Sequence, residues 1–190
     1  MGVYYGIQRS SDYLAHYGVK GMRWGVRKEY KKHPRITRPA NTKLLKGYSG
    51  PIFFISQDPT LKKLKPRVPS NFLTKYGYED AVTPRICFAP SIDKCLAGMS
   101  SNLDGKTFSV YKPKNTSRHN IFKPNKKAVP DSSITDEMWI CEPCSLKKVG
   151  TIKITGNRGE SGKQYKYGKN TATLYDDWTY DFVKKGGRHG

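Results

Sequence analysis

Arg85-Ile86-Cys87-Phe88-Ala89-Pro90-Ser91-Ile92-Asp93-Lys94-Cys95-Leu96-Ala97 changes its hydrophobic period half-way along, and that change sets the fold class. Residues 85–89 form a short apolar run closed by Pro90, which reads as a buried strand. Ser91 is then placed to cap a helix, because its hydroxyl can accept one of the amide hydrogens left free at a helix start. Asp93 suits the positive end of the helix dipole, and Ile92, Cys95, Leu96 and Met99 fall on one helical face. A strand that turns directly into a capped amphipathic helix calls for a sheet with a helix packed against it.

Outward from this unit the chain reads mostly as strands. Ile52-Phe53-Phe54-Ile55, bounded by Gly50-Pro51 and Asp58-Pro59, is a buried strand, and Lys62–Tyr78 with its two prolines is a basic loop. Thr107–Tyr111 is a strand with Phe108 and Val110 on one face and Tyr111 on the other. Lys112–Pro130, rich in Lys and Pro, reads as a long exposed loop. Met138–Cys141 and Lys148–Ile154 read as two strands paired around the Pro143–Ser145 turn. Gly156–Gly168 reads as a loop. Leu174, Trp178 and Phe182 step by four through Thr171–Lys185, which favours a helix, although the Thr and Tyr content also permits a strand. No internal repeat is evident. The expected fold is α+β: a small split or bent, mixed or antiparallel sheet with one or two packed helices. The expected organisation is an extended arm over residues 1–48, a domain over 49–185 and a flexible tail over 186–190.

The chain of 190 residues carries 35 Lys and Arg against 15 acids, for a net charge of +20. The first 48 residues hold 11 bases and 2 acids, the densest excess. Such a balance points to a polyanionic partner: nucleic acid, an anionic capsid lumen packed with DNA, or a phosphorylated ligand. Hydrophobic residues make up 36%, below the roughly 45–50% of ordinary globular domains, consistent with a core plus polar extensions. No apolar run approaches the roughly 20 residues that span a bilayer, and the N-terminus lacks the pattern of a signal peptide. No membrane association is expected, and the bacterial cytoplasm is the default location.

His16-Tyr17-Gly18-Val19-Lys20-Gly21-Met22-Arg23-Trp24-Gly25-Val26-Arg27-Lys28 keeps neither a helical nor a strand period. It reads as a docking peptide, with Tyr17, Met22 and Trp24 as apolar anchors and Arg23 and Arg27 among its cationic rim. The run resembles a tag found beside unrelated domains in proteins of tailed phages and prophages of Gram-positive hosts. That resemblance implies a phage-encoded accessory protein, in the virion or the host cytoplasm, whose arm docks on the capsid or a host protein.

Sequence motifs for the common chemistries are missing: no phosphate-binding glycine loop, no Gly-x-Ser-x-Gly and no His-Glu-x-x-His. His16, His33, His119 and His189 all fall outside firm elements, which argues against a His-centred hydrolase. Cys87, Cys95, Cys141 and Cys144 lack neighbouring histidines and read as buried free thiols, so no metal is expected. Glu79, Asp80, Asp136 and Glu137 lie in polar context and read as solvated. Glu142, at the end of an apolar strand, reads either as a strand-end ion pair or as a functional acid.

The order of Phe53-Phe54-Ile55-Ser56, a basic loop, the strand and capped helix of 86–97, the strand 108–111 and a Glu-bearing strand resembles the ADP-ribosyltransferase-like fold over Gly50–Ile154. The resemblance implies binding of NAD or a related nucleotide. Ser56 with Gln57 would hold the nicotinamide ribose, Phe88 in Phe88-Ala89-Pro90-Ser91 would stack on the ring, and Glu142 would be the catalytic carboxylate. Phe54 would line the pocket, while Arg67 and Arg85 would hold phosphates. The first strand departs from the family in carrying no His or Arg. Two further readings stand beside this one: a basic protein binding nucleic acid or capsid without catalysis, and a counter-defence protein that sequesters a nucleotide signal or blocks a host immune protein.

Overall fold

The strand and the helix of 85–97 form as their sequence requires. In the computed structural model, which describes residues 37–99, 103–157, 163–167, 170–174 and 177–186, they occupy Ile86–Phe88 and Ile92–Ala97. The Ser91 hydroxyl caps the helix by accepting from the Lys94 amide at 3.1 Å, and Leu96 is fully buried. In chain order the strands are β1 (Thr42–Leu44), β2 (Phe54–Ser56), β3 (Lys63–Leu64), β4 (Ile86–Phe88), β5 (Thr107–Pro113), β6 (Ile121–Pro124), β7 (Met138–Ile140), β8 (Cys144–Asn157), β9 (Lys163–Tyr167), β10 (Asn170–Leu174) and β11 (Trp178–Lys184). The helices are α1 (Phe72–Lys75), α2 (Ile92–Ala97) and α3 (Ser132–Thr135). The fold is α+β.

Two antiparallel sheets carry the architecture. One has the order β1-β6-β7-β4; the other has the order β11-β8-β5-β2, with β3 also paired to β8. The long strand β8 makes this possible, because β11 covers its residues 150–157 and β3 covers Cys144 and Ser145. β9 and β10 form a separate antiparallel pair. The sheets meet where Phe53 and Ala89 exchange backbone hydrogen bonds of 2.8 and 3.0 Å.

Strand alternation distributes the apolar side chains among three clusters. Ile86, Phe88, Ile121, Met138 and Ile140 of the first sheet join Tyr111, Cys144 and Leu146 of the second. Phe108, Val110, Ile152 and Ile154 pack instead with Leu96 of α2 and with Trp178. Trp139, between Met138 and Ile140, faces the other way and joins Phe122, Ala128 and Val129. The opposed faces expected for Phe108 and Val110 against Tyr111 therefore belong to two different cores.

Several expectations give way to tertiary pairing. Lys112–Pro130 is not an exposed loop: Ile121, Phe122, Ala128 and Val129 are buried, and β6 is central in its sheet. Two adjacent apolar residues among lysines and prolines are too short a signal for periodicity to register. β7 and β8 do not pair with each other across Pro143–Ser145, since the chain crosses there from one sheet to the other. Thr171–Lys185 is not a helix but β10 and β11, with the β-branched and aromatic residues prevailing. Gly156–Gly168 contains the end of β8 and all of β9, and the basic loop 62–78 contains β3 and α1. The first strand, expected at Ile52–Ile55, starts two residues later and ends one later, at Phe54–Ser56. The folded part also begins earlier than residue 49, because β1 pairs with β6 and the Thr42 hydroxyl donates to the Pro39 carbonyl at 2.7 Å. Among the described residues no helix is long and apolar enough to cross a membrane.

Candidate functional site

The backbone bridge between Phe53 and Ala89 sets the next residue of one strand beside the preceding residue of the other. Phe54 and Phe88 accordingly meet edge to face, with ring centroids 6.0 Å apart, the geometry that the aromatic quadrupole favours. Together they line a cavity of about 180 Å³, whose walls also include Cys87, Lys94, Met99 and Glu137. α2 supplies Lys94, and the turn after α3 supplies Glu137. Asp136 closes α3 in the left-handed region at φ 49°, a conformation short polar residues tolerate, and ion-pairs with Lys123. Glu137 accepts a hydrogen bond from the Trp139 indole, and its charge disfavours ionisation of the Cys87 thiol. Among the described residues it is the single carboxylate on the cavity wall.

Burial disfavours the thiolate form of both cysteines at this cavity. Burial pushes Cys87 well above the ordinary thiol value, with Glu137 adding to the effect, and pushes Cys95 up to about 12. Burial also raises Cys141 and Cys144 to about 11. All four are free thiols and stay protonated at neutral pH, so none offers a thiolate nucleophile.

The remaining residues singled out by sequence do not converge on this cavity. The Ser56 hydroxyl accepts from the Asp58 amide at 3.1 Å, a local turn contact, and Gln57 is exposed. Ser91 is committed to its capping bond. Arg67 is exposed and pairs with Arg85 through the backbone alone. Arg85 holds no phosphate, since its side chain is wholly buried and ion-paired with Glu79 and Asp80. One guanidinium nitrogen also donates to the Asp80 and Thr83 carbonyls at 2.8 and 3.2 Å. The guanidinium lies 4.4 Å from the centroid of the Trp139 ring. Glu79 and Asp80 are thus not solvated: a wholly buried arginine requires counter-charges. Tyr17, Met22, Arg23, Trp24 and Arg27 lie outside the described residues.

Glu142 stands elsewhere. β6 and β7 pair Ile121 with Ile140, and carrying that register two residues outward sets His119 opposite Glu142. The His119 Nδ1 lies 2.8 Å from the Glu142 Oε1. His119 also lines a second cleft, of about 420 Å³, with Tyr48, Ser49, Lys114, Asn115 and Ser117. No sequence signal joined these two residues, because the strand preceding Glu142 was legible and the strand following His119 was not.

Residues 8–31 match the model of a family of unknown function (DUF7211). The match spans the tag-like run and none of the folded domain. No curated protein and no solved structure matches the chain.

Proposed function

We propose that the domain binds a nucleotide of the NAD class, with its planar ring in the cavity of Phe54 and Phe88. The observation that carries this reading is that two aromatic residues from separate motifs, on strands of different sheets, meet in one cavity. The cavity suits a single ring flanked by aromatic edges and faces. Lys94 supplies a point charge for a phosphate at the rim. Glu137, rather than Glu142, is the carboxylate positioned to face a ribose. The resemblance of the N-terminal run to a phage tag supports reading the chain as a phage-encoded accessory protein.

Thermal unfolding of the full chain with NAD, ADP-ribose and nicotinamide tests the reading. A ligand at a hundredfold excess over its dissociation constant stabilises by about 2.7 kcal/mol, which raises Tm by roughly 5–10 °C for a chain of this size. Lys94→Gln and Glu137→Gln should abolish the shift, since Gln at 137 keeps an acceptor for Trp139 but loses the charge. No shift with any of the three ligands at millimolar concentration would exclude the reading.

A further inference from the structure

One face of the second sheet is apolar where α2 roofs it and cationic where the roof ends. Phe108, Val110, Ile152 and Ile154 lie under α2. Beyond it, the register sets Lys112 opposite Lys147, and Lys63 opposite Ser145. The Lys114 amide donates to the Ser145 carbonyl at 2.9 Å, which aligns Lys114 with that second row. Because side chains alternate along a strand, Lys112 and Lys114 share a face, as do Ser145 and Lys147. Lys63, Lys114 and Lys147 are exposed, and the Lys112 ammonium sits 4.5 Å from the Phe53 ring centroid.

Four lysines therefore occupy a patch about 10 Å across and about 7 Å along, given ordinary strand spacing and rise. No acid pairs with any of them among the described residues. Uncompensated like charges at this density repel one another, and a polyanion laid across them removes that repulsion. Lys114 continues the patch into the cleft of Asn115, Ser117 and His119, which adds the amide and hydroxyl donors that phosphate and sugar contacts use.

We propose that this face, formed by β3, β8 and β5, binds the phosphate backbone of a nucleic acid. It is independent of the Phe54–Phe88 cavity and shares no residue with it. The rows are built from charge and short polar side chains without apolar anchors, which fits a backbone track better than a lipid surface.

The test measures fluorescence anisotropy of a labelled single strand and its duplex with the full chain across a salt series. Lys63→Gln, Lys112→Gln, Lys114→Gln and Lys147→Gln are combined in one variant. A second variant removes the same charge elsewhere through Lys43→Gln, Lys46→Gln, Lys126→Gln and Lys127→Gln. The N-terminal arm contributes equally to all three proteins, so differences report the patch. The patch variant should flatten the slope of log K against log salt by about 3, at roughly 0.7–0.9 per lost contact, and the second variant by less than 1. Equal losses in both would overturn the proposal, as would binding to phosphatidylserine vesicles that is weakened to the same degree by the patch variant. If the combined variant does not fold, Lys114→Gln and Lys147→Gln singly should each flatten the slope by about 1, and unchanged slopes would overturn the proposal equally.

Discussion

Arg85 shows how one buried charge organises its neighbours. Its side chain is wholly enclosed, yet its Nε finds no hydrogen-bond partner among the described residues, so the Glu79 and Asp80 contacts and the Trp139 ring hold it in place. Burial pushes the Glu79 carboxyl up from 4.5 to about 7, with the Glu137 charge adding and the Arg85 charge subtracting. A carboxyl that ionises less readily in the folded than in the unfolded chain favours folding while it is protonated. That contribution is full below the ordinary value of 4.5 and disappears as pH rises through about 7. Urea unfolding of the wild type and Glu79→Gln should show the wild type losing stability relative to the variant between about pH 4.5 and 7, with a constant difference above. A difference independent of pH would place Glu79 in an ordinary solvated state. Sequence alone made Arg85 visible as an ion in an apolar strand, but its enclosure hid behind the distance to the carboxylates that answer it.

At the scale of elements, β8 shows the constraint most sharply. Gly150 faces Lys184 across the β8–β11 pair, diagonal to Phe182, which is registered with Ile152. A Cβ on Gly150 would stand 2.5 Å from the Phe182 ring and 2.8 Å from the Val183 carbonyl oxygen. The ring, at 45% exposure, can swing into solvent, but the carbonyl is backbone and moves only if β11 moves. Gly150→Ala should therefore destabilise the fold by about 1–3 kcal/mol, the usual range for overpacking, measured by urea unfolding. Phe182→Ala in the same chain should restore only part of the loss, because the backbone contact remains. Full restoration would assign the whole effect to the ring. The element most legible in sequence was α2, where cap, first-turn acid and apolar face agree within a few residues. The least legible was β6, whose two buried residues gain meaning only from β1 and β7 on either side.

At the scale of the molecule, β5 joins what would otherwise be separate cores. Phe108 and Val110 belong to the cluster under α2, while Tyr111 belongs to the cluster spanning both sheets. The Tyr111 hydroxyl donates to the Asp58 carbonyl at 2.7 Å, and the Phe53–Ala89 bridge ties the sheets again. Shared strands couple the clusters, so far-UV circular dichroism and tryptophan fluorescence should report one coincident thermal transition. Two separated transitions would mean that the sheets unfold independently. Composition and local pattern determined the α+β class, the capped helix, the alternation of β5, and the basic character of the chain. These depend on side chains within a few residues of one another, where period and capping act. The tertiary structure decided which strands pair, which carboxylate meets the aromatic cavity, and that His119 faces Glu142. Those outcomes depend on strands brought together from far along the chain, and no local period records which partner a strand will find.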